Sequence, residues 1–322
     1  MEFLYVVSSG EAAGKTMIAA GLGKYLIGVG KKVGFLKPVI GSADTRDAVF
    51  MSQILGLSEP VDFICPTAGT AGEVQQACTR VSPEKDVVII ESRLAEHLDD
   101  NYEVAKRLNA KVIIVESYAD QPLKKGSAYG GFGENLLGVI INRVPVSRVA
   151  RVQDETAARF REARVNVLGI IPEDRVLAVL SIGEIVECVQ GKILNNEEKA
   201  ADLVANVMLG AMVVDSGLEY FGRKADKAAI IRSDRPDMQL AALETKTRCL
   251  VISGAREELF YNVRQKAESK GIPIIITEND TNTIINSLEG CFSKVRFSQE
   301  KKLSYLVEVL KQHLDLKALA KV

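Results

Sequence analysis

Residues 8–16 read Ser-Ser-Gly-Glu-Ala-Ala-Gly-Lys-Thr. Glycines at Gly10 and Gly14 let the backbone turn tightly and aim its N–H groups inward, which makes an anion-binding nest. A lysine and a hydroxyl residue follow directly. This arrangement suits a purine nucleoside triphosphate carried with Mg²⁺. The backbone of Gly10, Glu11, Ala12, Ala13 and Gly14 would wrap the phosphates, Lys15 would reach the β- and γ-phosphates, and the Thr16 hydroxyl would ligate the metal. The spacing follows G-x-x-x-x-G-K-[ST], except that Ser9 takes the place of the first glycine. ATP and GTP both fit such a loop.

Other residues complete a site of this kind. Glu91 ends an apolar run, Asp86–Glu91, and could hold the metal or a metal-bound water; the plainer alternative is a solvated strand end. Asp47 follows Lys37-Pro38 in a polar stretch entering a helix, where a carboxylate could serve a hard cation. Asp44 competes for that role, and helix capping is the alternative for either. Lys37 ends a second strand at the same edge, as a catalytic or anion-binding lysine or simply an exposed strand end. Asn142 ends Leu137–Asn142, where its amide could read a purine edge or merely initiate the turn of Asn-Arg-Val-Pro.

The elements that must position these groups are legible as continuous apolar runs. Phe3–Ser8, Lys32–Lys37, Asp86–Glu91, Val112–Glu116, Leu137–Asn142 and Val165–Ile170 read as strands, with helices clearest at Thr16–Val29, Tyr102–Leu108 and Val152–Ala163. Apolar strands alternating with helices predict an α/β fold, a parallel sheet covered by helices on both faces. Gly126–Gly133 reads as a flexible connection. Around Gly191–Glu198 the chain turns polar, so the reading places one domain at 1–195 and a smaller α/β domain at 196–322. There a helix is expected over Lys199–Leu209. Strands are expected at Ala228–Ile231, Cys249–Ser253 and Pro273–Thr277, and the chain should close on the helix Glu300–His313.

At 322 residues the chain exceeds the roughly 150 typical of one domain. A formal net charge of −1 gives no electrostatic footprint for nucleic acid or an anionic membrane. Five scattered cysteines without a C-x-x-C pair argue against a disulfide framework and for a reducing, cytoplasmic setting. With His97 and His313 as the two histidines, His-based triads are nearly excluded. No apolar run approaches the ~20 residues that span a bilayer.

Taken together, these segments resemble a known group. Gly14-Lys15-Thr16, Phe35-Leu36-Lys37-Pro38, Asp86–Glu91, Gly138–Arg143 and Leu168–Pro172 are similar in order and spacing to the dethiobiotin-synthetase-like ATPase fold, a P-loop NTPase type. They are closer still to the N-terminal region of long bacterial phosphotransacetylases. The resemblance implies Mg-triphosphate roles for Lys15, Thr16, Asp47 and Glu91, a base-reading role for Asn142, and a catalytic or anion-binding role for Lys37. From about residue 205 the chain resembles the DRTGG domain, with Ser233-Asp234-Arg235-Pro236-Asp237 in the signature's place. That implies a ligand-sensing or interaction domain, in which Asp234 and Arg235 either contact a small molecule or protein partner or form a local salt bridge.

The departures shape the expected function. The chain ends at Val322, where the acetyl-transferring domain of a long phosphotransacetylase would begin, so no acetyl phosphate synthesis is expected. Ser92–His97 is not the glycine-rich substrate loop of dethiobiotin synthetases. The expectation is a nucleotide-dependent regulatory protein with at most slow ATP hydrolysis. The alternative is an ATP-dependent ligase that phosphorylates a carboxylate or carbamate near Lys37. Homo-oligomerisation stays open.

Overall fold

The computed structural model describes the chain apart from residue 11 and residues 42–44, 93–98, 119–128, 211–216, 256–258, 294–296, 317–318 and 320–322. Glu11, Asp44 and nearly all of the 92–97 loop therefore lie outside the described residues. Two compact units form, Met1–Asp174 with Arg296–Val322, and Arg175–Val295.

The first unit is built on six strands: β1 (Glu2–Val7), β2 (Val33–Leu36), β3 (Val87–Glu91), β4 (Lys111–Ser117), β5 (Leu136–Val144) and β6 (Val167–Pro172). All pair in parallel, in the order β2-β3-β1-β4-β5-β6. Central strands are buried end to end, as in β3 and in β1 from Leu4 onward, which is why they read as unbroken apolar runs. The helices are α1 (Lys15–Gly28), α2 (Arg46–Leu55), α3 (Val61–Ile64), α4 (Ala71–Val81), α5 (Asp99–Leu108) and α6 (Val149–Glu162). One face of the sheet is covered by α4, α5 and α6 through residues such as Val74, Cys78, Val104, Val152 and Phe160. A reciprocal Thr70–Glu73 capping box starts α4.

The last helix, Leu303–His313, packs on α1, so it belongs to the first unit and not to the second domain where the sequence reading placed it. The reason is close approach. A Cβ on Gly21 of α1 would come within 2.3 Å of the Leu310 side chain, and one on Gly169 of β6 within 2.1 Å of the His313 carbonyl. At Gly169 the obstacle is backbone, so a side chain there would push the helix end away; at Gly21 the Leu310 side chain would have to shift. The contact division between the units falls at Asp174/Arg175, earlier than the expected 195/196.

The second unit carries β7 (Leu180–Ser181), β8 (Lys192–Ile193), β9 (Leu203–Val204), β10 (Asn206–Leu209), β11 (Lys227–Arg232), β12 (Thr247–Ser253) and β13 (Ile274–Thr277). Its main sheet runs β10-β11-β12-β13-β8, with β8 antiparallel, while β7 and β9 form a separate ladder. Its helices are α7 (Ile182–Cys188), α8 (Gly217–Gly222), α9 (Pro236–Leu243), α10 (Tyr261–Lys270) and α11 (Thr281–Ser293). One face packs Phe221, Met238, Leu243 and Val263, and the other packs Ile185, Ile284 and Leu288.

Three further expectations are corrected. Lys199–Leu209 is not a helix: a short 3-10 turn at Glu197–Lys199 leads into β9 and β10. Its apolar spacing fits either state, and parallel pairing with β11 decides. The Gly126–Gly133 segment is described from Tyr129 onward, and there it is packed, with Tyr129 and Phe132 buried in the core and a 3-10 turn over Gly130–Asn135. Finally, Cys188 and Cys291 are joined in a disulfide. The pair is invisible in sequence because 103 residues separate it; packing of α7 on α11 brings the Cα atoms to 6.3 Å. Cysteine usage thus no longer argues for a reducing compartment. No helix among the described residues is long and apolar enough to cross a membrane.

Candidate phosphate-loop site

The loop of residues 8–14 joins β1 to α1 at the carboxyl edge of the first sheet. β1 lies between β3 and β4 in the sheet. From β1 the chain crosses to the edge strand β2 on one side and returns through β3, while β4, β5 and β6 follow on the other side, so the loop sits near the crevice where α/β sheets bind ligands. Gly14 has φ +101°, and a Cβ there would come within 2.3 Å of the Asn142 amide nitrogen. Ala12 also lies in the left-handed region, at φ 51°. These conformations turn the chain into α1, whose free N–H groups and dipole favour an anion.

Each anchor of the loop comes from the end of a strand. Lys15 is buried and donates to the Ser8 hydroxyl at 2.7 Å; Ser8 in turn donates to the Gly10 carbonyl at 2.8 Å. The Thr16 hydroxyl donates to Glu91 Oε1 at 2.9 Å. Lys37 Nζ donates to the same oxygen at 2.8 Å and also to Asp47 in the first turn of α2. Burial alone would lower the Lys37 ammonium, but the charges and hydrogen bonds of Glu91 and Asp47 outweigh it and raise it above its ordinary value. Thr16, Lys37, Asp47 and Glu91 are thus one connected cluster.

Asn142 reaches the loop from β5. Its Nδ2 donates to the Ala13 carbonyl at 2.9 Å, and its Oδ1 accepts from the Arg143 N–H at 2.9 Å. Both ends of the amide thus bond to the backbone. In the second unit Asp234 and Arg235 follow β11. Asp234 pairs with Arg232, and Arg235 makes a two-point pair with Asp237 at 2.8–3.0 Å in the first turn of α9.

Sequence reasoning missed two strand-end groups. Glu116, fully buried at the end of β4, accepts from both the N–H and the hydroxyl of Ser9. Ser92, buried directly after Glu91, has no hydrogen-bond partner for its hydroxyl among the described residues, and neither does Glu91 Oε2. The strand-end rule that singled out Glu91 applies equally to Glu116.

The donor set fits Mg²⁺ with a triphosphate. Among the described residues no group of three or more His, Cys, Asp or Glu side chains forms a metal cage. A threonine hydroxyl and two carboxylates suit a hard cation whose remaining ligands are phosphate oxygens and water. The unsatisfied Glu91 oxygen is a buried acceptor with capacity for a further partner.

A six-stranded parallel sheet with a glycine loop entering its first helix defines the P-loop class of α/β proteins. Residues 2–179 match the family model described as AAA domain, which covers more than half of the chain, so the chain belongs to that family. Residues 184–291 match the model described as DRTGG domain. Among curated relatives, the phosphate acetyltransferase of Nitrosomonas europaea is 22% identical, over 100% of this chain and 52% of its own length. That of Nitratidesulfovibrio vulgaris is 20% identical, over 97% of this chain and 50% of its own length. The expected resemblance to the N-terminal part of long phosphotransacetylases therefore holds, and the chain spans about half the length of these relatives. Among solved structures, the MinC:MinD cell division complex of Aquifex aeolicus aligns at TM-score 0.41 and 18% identity, over 55% of this chain and 84% of that one.

Proposed function

We propose that the first unit binds a purine nucleoside triphosphate with Mg²⁺, ATP before GTP, and that the chain is a nucleotide-dependent regulatory protein. The observation that carries this reading is the cluster at the start of α1, where Lys15 and Thr16 stand beside the hydrogen-bonded Lys37, Asp47 and Glu91. Lys15 and the loop amides from Gly10 to Gly14 would hold the phosphates. Thr16, Asp47 and Glu91 would hold the metal, directly or through water. Bound Mg²⁺ would supply positive charge to the β- and γ-oxygens. Asn142 is the candidate for the base edge once its present contacts rearrange. Slow hydrolysis is compatible with this set. In the second unit the Asp234–Arg235 loop is the proposed contact for a small ligand or a protein partner, supported by its place after β11 at the carboxyl edge of that sheet.

A second reading is favoured by Lys37. An ammonium held charged at the sheet edge, beside the phosphate loop, is what an ATP-dependent ligase would use to grip a carboxylate or carbamate. The two readings separate on turnover of small carboxylates with ATP at an ordinary enzymatic rate, which the regulatory reading excludes. The nucleotide claim common to both is tested by thermal shift. At a hundredfold excess over its dissociation constant, Mg-ATP should stabilise the fold by about 2.7 kcal/mol. No shift with either ATP or GTP would refute it.

A further inference from the structure

Glu116 is withdrawn completely from water. A carboxylate in that position costs several kcal/mol unless hydrogen bonds replace its hydration. Part of that replacement comes from a single residue of the phosphate loop. Oε1 accepts from the Ser9 N–H at 3.0 Å, and Oε2 accepts from the Ser9 hydroxyl at 2.8 Å. The two residues lie 107 positions apart in sequence but on adjacent strand ends, since β1 pairs with β4 through Val7 and Ile114. Ser9 occupies the position where the motif G-x-x-x-x-G-K-[ST] has its first glycine. A glycine has no hydroxyl, so the two-point contact exists only because a serine faces a carboxylate here.

We propose that Glu116 is a positioning residue for nucleotide binding: it latches the entry of the phosphate loop through Ser9, so that the loop is held open for phosphates before they arrive. This rests on the nucleotide reading above. The loop is then tied at three strands, by Ser8 directly after β1, by Glu116 on β4 and by Asn142 on β5. With its N–H committed to Glu116, Ser9 does not contribute an amide to the phosphates, and the binding amides lie between Gly10 and Thr16. The gain is preorganisation, since a loop already ordered loses less entropy on binding.

Glu116 has other neighbours besides Ser9, so a single truncation does not isolate the pair. The test is a calorimetric titration of Mg-ATP into wild type, Glu116→Gln, Ser9→Ala, Glu116→Ala and the Ser9→Ala/Glu116→Ala double variant. Glutamine keeps an acceptor for the N–H and a donor for the hydroxyl, so Glu116→Gln should bind within about twofold of wild type. Ser9→Ala should weaken binding about fivefold, and Glu116→Ala about tenfold or more, on the scale of one or two hydrogen bonds. The double variant should be no weaker than Glu116→Ala alone, because the two changes remove one interaction. If Glu116→Ala does not fold, the contrast between Ser9→Ala and Glu116→Gln decides in the same way. Wild-type affinity in Ser9→Ala, additive losses in the double variant, or a Glu116→Gln as weak as Glu116→Ala would each overturn the latch. A wild type that binds no nucleotide would overturn the nucleotide reading itself, a result distinct from wild-type binding that the variants leave unchanged.

Discussion

Thr16 and Glu91 are joined by a 2.9 Å hydrogen bond from hydroxyl to carboxylate, across 75 residues of sequence. The bond ties the first turn of α1 to the end of β3. It also places a hydroxyl and a carboxylate, both candidate ligands for a hard cation, within reach of one another. Lys37 donates to the same Glu91 oxygen and to Asp47, so an ammonium lies between the two carboxylates.

If Asp47 and Glu91 serve the metal, Asp47→Asn and Glu91→Gln should weaken the Mg²⁺ dependence of nucleotide binding by roughly tenfold or more, while metal-free binding changes less. Titrations of Mg²⁺ at fixed nucleotide read this directly. Identical curves for wild type and both variants would make these carboxylates structural.

Gly14→Ala should abolish nucleotide binding in a chain that still folds. The backbone there sits at φ +101°, a conformation costing a side-chain-bearing residue about 1–3 kcal/mol. The new methyl would also displace the Asn142 amide from the Ala13 carbonyl. Circular dichroism should show the native fold with a lowered melting temperature, and calorimetry should show no binding heat. Wild-type affinity in this variant would mean that the loop geometry does not govern binding.

The cysteines give a prediction that centres on the second unit, with Cys78 of the first as a comparison. Burial pushes the Cys78 and Cys249 thiols up to about 12, so neither should react with a thiol reagent at pH 8 in the native chain. Cys188 and Cys291 should label only after mild reduction, which opens the bridge between α7 and α11. Reduction should also destabilise this unit by about 2–4 kcal/mol, the usual scale for a bridge closing a long loop. Mass spectrometry of labelled peptides, with urea unfolding in parallel, distinguishes the outcomes. Rapid native labelling of Cys249, or unfolding curves unaffected by reductant, would contradict this account.

Acid should loosen one surface contact of the same unit. Hydrogen bonds from Lys266 and Lys270, with their charges, hold the Glu244 carboxyl down at about 2 against an ordinary 4.5. A depressed folded-state value means that the stabilisation is present above about pH 4.5 and is lost as pH falls towards 2. The groups are exposed and screened, so the effect is small. Wild type should be slightly more stable than Glu244→Gln at pH 6, and the two should converge near pH 2. A difference that grows on acidification would reverse the assignment.

Much of the first unit was legible in the sequence because buried parallel strands leave continuous apolar runs, and because the loop's glycines, Lys15 and Thr16 are local in the chain. Glu91 could be found by its place at a strand end. What could not be read was pairing across the sheet. Glu116 ends a strand just as Glu91 does, but its importance depends on β4 lying beside β1, which the sequence does not state. The return of Leu303–His313 to α1 was hidden for a similar reason: Gly21 and Gly169 look like ordinary helix and strand glycines until the close approach is seen. In the second unit, Leu203, Val204, Val207 and Met208 recur at a helical interval, yet hydrogen bonding to β11 made a strand of the last two. The Cys188–Cys291 bridge leaves no local signal at all.

The central claim, that residues 8–16 form a working phosphate loop, is tested most directly by calorimetric titration of Mg-ATP and Mg-GTP into wild type and Lys15→Ala. Lys15 donates to Ser8 at 2.7 Å, and it is the one positively charged residue in the sequence 8–16. Wild type should bind at least one of the two nucleotides saturably. Lys15→Ala should fold normally and show no measurable heat at the same concentrations. Undiminished binding by the variant would remove the phosphate loop from the account.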